Sequence, residues 1–197
     1  MQSSSRFRAT VVGLAAAVAL VVALAARAET VTGAMPVEPQ PTAEQLAPGL
    51  AVTYFFRMFS DVNDVADADD GVAGEPLALL DARPPRNGDV LTSGKAMGVG
   101  AQIRGLIDLA TPGTYVFRVN SNDGVKLWIG DKLLHEDAYI HPDKMSPPLE
   151  FAVEQAGWHA LAIDYYQRKG TATLQFLWTP PGGAESIVPA EAYAYPR

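Results

Sequence analysis

Two runs of strictly alternating residues, separated by a short polar break, constrain this chain more than anything else in it. Residues 112–134 read Pro-Gly-Thr-Tyr-Val-Phe-Arg-Val-Asn-Ser-Asn-Asp-Gly-Val-Lys-Leu-Trp-Ile-Gly-Asp-Lys-Leu-Leu. Tyr115, Phe117 and Val119 alternate with Thr114, Val116 and Arg118, and after the break Val125, Leu127 and Ile129 resume the same period. A period of two places one face of each run in a core and the other outside it. The break, Ser121-Asn122-Asp123-Gly124, is turn chemistry: Asn and Asp tolerate left-handed backbone angles and Gly accepts them without steric cost. The two runs are therefore expected to form a β-hairpin whose tip faces outward at a corner of two stacked sheets. Gly130-Asp131 predicts a second tight turn.

The other apolar runs have the same character. Val52, Tyr54 and Phe56 alternate within residues 50–57, and Ala172, Leu174, Phe176 and Trp178 share a face within residues 171–178. Residues 99–109, 149–153 and 158–167 read as further strands between Gly, Pro and Asp turns. Beyond the N-terminal segment no stretch carries a long 3.6-residue period. The expected class is all-β, a two-sheet antiparallel β-sandwich. Adjacent tyrosines 165 and 166 must point to opposite faces, so one of them is expected outside or at an edge.

The first 28 residues have a different character. Arg6 and Arg8 precede an Ala-, Val- and Leu-rich run over 11–25, and Ala26-Arg27-Ala28 follows. That order predicts a secretory signal peptide, because the apolar run is shorter than the roughly 20 residues a spanning helix prefers. Residues 29–48, with Pro36, Pro39, Pro41 and Pro48, are expected to be a Pro-rich linker, and 49–197 the folded domain. Loss of Arg6, Arg8 and Arg27 would take the formal charge from −7 to −10. Such a surface repels phosphate backbones, so nucleic acid is not an expected partner, and no membrane span is expected in the mature chain. There is no cysteine, which excludes disulfides, thiol catalysis and an acylated cysteine anchor.

Several motifs fail on inspection. Asp61, Asn63, Asp64, Asp67, Asp69, Asp70 and Gly71 suggest a calcium loop, but Ala66 and Ala68 fall where carboxylates belong, so a solvated acidic loop is expected. Gly88, Gly94 and Lys95 have the wrong spacing for a phosphate loop, and Ala96 stands where a hydroxyl would hold magnesium. His135, Glu136, Asp137, His141 and Asp143 are close in sequence but read as a polar loop rather than a metal site. Asp137, Tyr139 and His141 are placed to rim a ligand site beside the 121–124 turn. No G-x-S-x-G elbow or singled-out Ser-His-Asp set is present, so no enzyme is expected.

The hairpin stretch, followed in order by Ala156-Gly157-Trp158-His159 and Asp164-Tyr165-Tyr166, resembles the PA-14 (protective antigen) domain family over residues 49–195. The resemblance implies a β-sandwich that binds carbohydrate or mediates adhesion, exported to the periplasm, cell surface or medium. The expected partner is then a glycan or cell-surface polysaccharide, with an assembly role on another envelope protein as the alternative. In flocculin-like members an Asp-Asp pair at this tip, joined by a cis peptide, holds calcium, and a later loop adds an Asn side chain and backbone carbonyls. Here Asn122 and Asp123 occupy the pair and Gln167 stands near the Asn, which implies a calcium set of Asn122, Asp123 and Gln167. Arg168 and Lys169 follow directly and oppose a divalent ion. The same turn can equally be purely structural. The expected sugar site joins Asn122, Asp123 and Gln167, which the resemblance implies, to Asp137 from the loop beside the turn and Tyr166 from the tyrosine pair.

Overall fold

The computed structural model describes residues 29–197; the expected signal peptide lies outside the described residues. Two antiparallel sheets face each other across one continuous core. The first sheet runs in the order β1 (Leu46–Pro48), β14 (Tyr193–Pro196), β5 (Val99–Leu109), β11 (Gly157–Gln167), β7 (Val125–Ile129) and β8 (Lys132–Asp137). On the same edge of β5 as β14, along its first six residues, it also carries β2 (Ala51–Phe56), which pairs in turn with β3 (Val72–Ala73). The second sheet is β10 (Leu149–Val153), β6 (Gly113–Asn122), β12 (Thr173–Thr179) and β13 (Ser186–Ile187), with β4 (Asp81–Ala82) on β12 and β9 (Lys144–Met145) on β6.

The alternation fills the space between them. Tyr115, Phe117, Val119, Leu174 and Phe176 are buried from the second sheet, and Ile103, Val125, Leu127, Ile129, Ile163 and Tyr165 from the first. Phe117 lies at the centre: its ring stacks on Phe176 at 5.4 Å between centroids and meets Phe151 edge-on at 6.1 Å. Such offset and edge contacts are favoured by the ring quadrupole. The all-β sandwich expected from the sequence is the fold observed.

Two expectations change. The runs flanking the 121–124 turn do not pair with each other. β6 pairs with β10 and β12, whereas β7 pairs with β11 and β8, so the chain crosses from one sheet to the other at this turn. The expected hairpin is an arch. Alternation specifies which side chains face the core, and it does so identically for a hairpin and for an arch. The tight turn at Gly130-Asp131 does join a true hairpin, β7 to β8.

The Pro-rich segment is not a free linker. Val31 bridges Phe151 at the edge of the second sheet, the Val37 amide donates to the Trp158 carbonyl at 2.8 Å, and residues 46–48 form β1 against β14. Ala34 is 2% exposed and packs into the main core. A segment with little periodic patterning can still be strapped down through its backbone, which is invisible to side-chain periodicity. Ala34→Glu is expected to lower stability by about 1–2 kcal/mol, as the strap peels away rather than bury a charge. A free linker predicts no change in Tm.

Candidate functional site

The arch places the turn residues at one end of the sandwich, under two loops. The amide of Asp123 donates to the carbonyl of Tyr166, and the amide of Tyr166 donates to the carbonyl of Gly124, both at 3.0 Å. These bonds stitch the arch to the end of β11. The Tyr165 hydroxyl donates to the Asn122 carbonyl at 2.7 Å from the core side. The peptide bond between Asn122 and Asp123 is cis, as the resemblance implies.

The tip does not face outward. Asp123 is 3% exposed and Asn122 6%. Both line a cleft of about 610 Å³ together with residues 140–142, residues 168–171 and Arg86. The expected open corner is thus the floor of a recess. Loops 139–143 and 167–171, remote in sequence from the turn, close over it, and no local pattern in 120–124 could report that.

Each turn side chain has its own electrostatic setting. Burial pushes the Asp123 carboxyl above the ordinary aspartate range, against the backbone amides of Arg168 and His141, which hold the charged form. The Arg168 amide donates to Asp123 Oδ2 at 2.7 Å. The Asn122 amide nitrogen donates to Asp143 Oδ1 and to Thr171 Oγ1, each at 3.0 Å. Asp143 Oδ2 in turn accepts from Thr173 Oγ1 at 3.0 Å and from Arg83 at 3.3 Å. Burial raises the Asp143 pKa, but the hydrogen bonds from Asn122 and Thr173 and the charge of Arg83 outweigh it, and the carboxyl sits below its usual value.

The remaining expected residues are dispersed. Tyr166 is fully buried, packed against Phe59 at 6.3 Å between centroids in a small second core with Phe55, Val62 and Val65. It cannot offer a face to a sugar, which corrects its place in the expected site. The acidic loop explains why: Asp64, Asp67, Asp69 and Asp70 stay in water while Val62, just before a short helix at Asn63–Ala66, and Val65, within it, cap the tyrosine. Neither tyrosine of the pair is outside or at an edge, contrary to the expectation, because a loop covers the outer one.

Asp137, at the end of β8, is bound by Lys144 Nζ at 2.5 Å and does not line the cleft. His135, Glu136 and Asp137 lie in β8 rather than in a loop. Among the described residues no group of three or more His, Asp or Glu side chains is arranged to hold a metal ion. Of the expected rim, His141 lines the cleft and Tyr139, 69% exposed, does not; its neighbour Ile140, 54% exposed, gives the cleft an apolar wall. Arg86, Ile140, Pro142 and Thr171 were not read from the sequence; Arg86 sits in a Pro-Pro-Arg-Asn-Gly turn with nothing to connect it to residue 123.

The implied calcium set does not assemble. Asp123 is the one carboxylate lining the cleft, and it already accepts an amide. Asn122 donates its amide nitrogen to Asp143 and Thr171, which leaves its Oδ1 as the one side-chain atom it could offer a cation. Gln167 is fully buried and does not line the cleft; its Nε2 reaches Thr171 O at 3.4 Å and its Oε1 has no partner. Arg86, Arg168 and Lys169 line the same space. Calcium takes six to eight oxygens, and this arrangement of one buried carboxylate facing three cations does not fit it.

Comparison with known proteins agrees with the architecture. A family model described as the PA14 domain matches residues 92–192. Among solved structures, the PA14 domain of the MpAFP antifreeze protein superposes with a TM-score of 0.63 at 15% identity, covering 81% of this chain and 96% of that one. A PA14 sugar-binding domain from an RTX adhesin gives 0.59 at 20% identity, covering 76% and 99%. The Epithelial Adhesin 9 A domain from Candida glabrata, in complex with Galβ1-4GlcNAc, gives 0.58 at 8% identity, covering 80% and 93%. At these identities the likeness is one of fold. A search of curated proteins finds no match.

Proposed function

Because the chain belongs to the PA14 domain family, we propose that it is an exported, non-catalytic carbohydrate-binding or adhesion module whose ligand enters the cleft over Asn122–Asp123. The observation that carries this reading is the cleft itself, about 610 Å³, floored by the arch that joins the two sheets. A recess of that size suits one or two sugar rings, and its composition suits them as well. Asp123 supplies a buried acceptor for ring hydroxyls, the amides around it hold that acceptor in place, and Ile140 gives an exposed apolar contact for a ring face. Among the described residues no helix is long and apolar enough to cross a membrane. The signal peptide, and hence delivery to the periplasm, cell surface or medium, rests on the sequence of residues 1–28.

The test is a glycan array read with and without chelator. At least one glycan is expected to bind, equally in both conditions, and Ile140→Ala is expected to weaken that binding about tenfold through loss of apolar contact. Silence across the array would end the reading, and binding that vanishes with chelator would restore calcium to the site. An assembly role on another envelope protein would instead use the apolar groove of about 320 Å³ beside Trp158, between β1 and β14. It predicts a co-purifying protein and no glycan.

A further inference from the structure

On the reading that this cleft binds a saccharide, we propose that the saccharide is acidic: a carboxylated sugar, of the hexuronate class, whose carboxylate is taken by Arg86 and Lys169 while its hydroxyls address Asp123.

The argument begins with a local reversal of charge. The whole chain carries a formal charge of −7. Yet the cleft is lined by three cationic side chains, Arg86, Arg168 and Lys169, against one carboxylate, Asp123. Arg86 and Lys169 are exposed and take no part in the ion pairs among the described residues. In a chain with an excess of acids, two unpaired cations facing one recess are unlike the other basic residues near it, since Arg83 is bound to Asp143 and Lys144 to Asp137. Arg168 is fixed by neutral acceptors: its guanidinium donates to the Met58 and Phe59 carbonyls, at 3.2 and 2.8 Å, and to the Ser60 hydroxyl. Those oxygens orient it without cancelling its charge.

The chemistry of the floor completes the division of labour. Asp123 is 3% exposed and held by the Arg168 amide, so it is a short-range acceptor for neutral hydroxyls rather than a broad negative field. The cations Arg86 and Lys169 are exposed along the cleft, where a planar guanidinium can engage a carboxylate through two parallel hydrogen bonds. A neutral sugar would leave both cations unused. A free acidic peptide would satisfy the cations but present no ring hydroxyls to the floor.

Calorimetry on the purified protein with trigalacturonate and with neutral galactotriose tests this. The uronate is expected to bind at least tenfold more tightly, and added salt to weaken it while leaving the neutral sugar unaffected. The double variant Arg86→Gln/Lys169→Gln, at two exposed positions, should lose about tenfold or more for the uronate, lose no more than about threefold for galactotriose and keep the Tm. Equal affinity for the two sugars would overturn the proposal while leaving the carbohydrate reading intact. Binding of neither sugar, where the glycan array also stays silent, would remove both. A polyglutamate peptide that matches the uronate would reassign the cleft to acidic peptides and overturn it as well.

Discussion

Gly124→Ala is expected to lower the stability of this protein by about 3 kcal/mol and its Tm by roughly 10 °C, more than an exposed turn residue would. A Cβ at this position would sit 2.5 Å from Cε1 of Tyr166 and 2.7 Å from the carbonyl oxygen of Ala138. Tyr166 cannot swing aside, because it is fully buried against Phe59, Val62 and Val65. The Ala138 oxygen is backbone, and it accepts the amide of Val62 at 3.0 Å, so moving it disturbs the loop that covers the tyrosine. The substitution therefore strains two layers at once and loosens the paired bonds between Asp123, Gly124 and Tyr166. A turn needing glycine only for its backbone angles would respond with a much smaller loss, since the close approach here is a contact of side chain and carbonyl. Thermal unfolding of the variant with a Tm within 2 °C of the parent, the shift of a weakly perturbed surface site, would show that the arch is not pinned as described.

The same arch shows what periodicity can and cannot convey. Alternation in 114–119 and 125–129 correctly gave two strands with Tyr115, Phe117, Val119, Val125, Leu127 and Ile129 inside. It also gave 99–109 and 149–153 with their observed bounds. Inside versus outside is a property of one strand, and a sequence window contains one strand. Pairing is a property of two strands, and the partners of β6 are β10 and β12, the latter some fifty residues away, rather than its neighbour β7. The hairpin reading followed from proximity in sequence, which the sandwich does not honour at this turn.

Site geometry was legible to a lesser degree for a related reason. Asn122 and Asp123 could be singled out because turn chemistry and family resemblance converge on them. The resemblance also gave their cis peptide bond. Their burial could not be read, since it is created by loops 139–143 and 167–171 arriving from elsewhere in the chain. Tyr166 looked like a sugar platform because adjacent tyrosines point to opposite faces of a strand, so one of the pair was expected outside or at an edge. It is instead capped by Val62 and Val65, two apolar residues spaced within an acidic loop that seemed wholly solvated. Likewise Asp143, grouped with the histidines as a polar loop, turns out to fix the amide of Asn122. That contact spans 21 residues and a change of strand direction.

Asp123→Asn is expected to separate the two roles this position could have. If the aspartate is there to build the turn, its loss should destabilise the protein and leave the cleft's ligand affinity in proportion. If it is there to meet ligand, the effects should run in opposite directions. Burial holds the Asp123 carboxyl above its usual pKa in the folded protein, so the folded state binds that proton more tightly than the unfolded chain does. Above the folded pKa the ionised group then detracts from stability, and the penalty fades as the pH falls below the unfolded value. An asparagine of the same shape removes that penalty and can still accept the Arg168 amide through its side-chain oxygen. The variant is therefore expected to melt at or above the parent Tm at neutral pH, with the difference shrinking toward acid. Glycan affinity should meanwhile fall about 10- to 100-fold, the loss of hydrogen bonds to a charged acceptor. Paired melting curves from pH 4 to 8 and one binding isotherm decide it, because a structural aspartate lowers Tm at neutral pH, whereas one kept for ligand at some expense of stability does not.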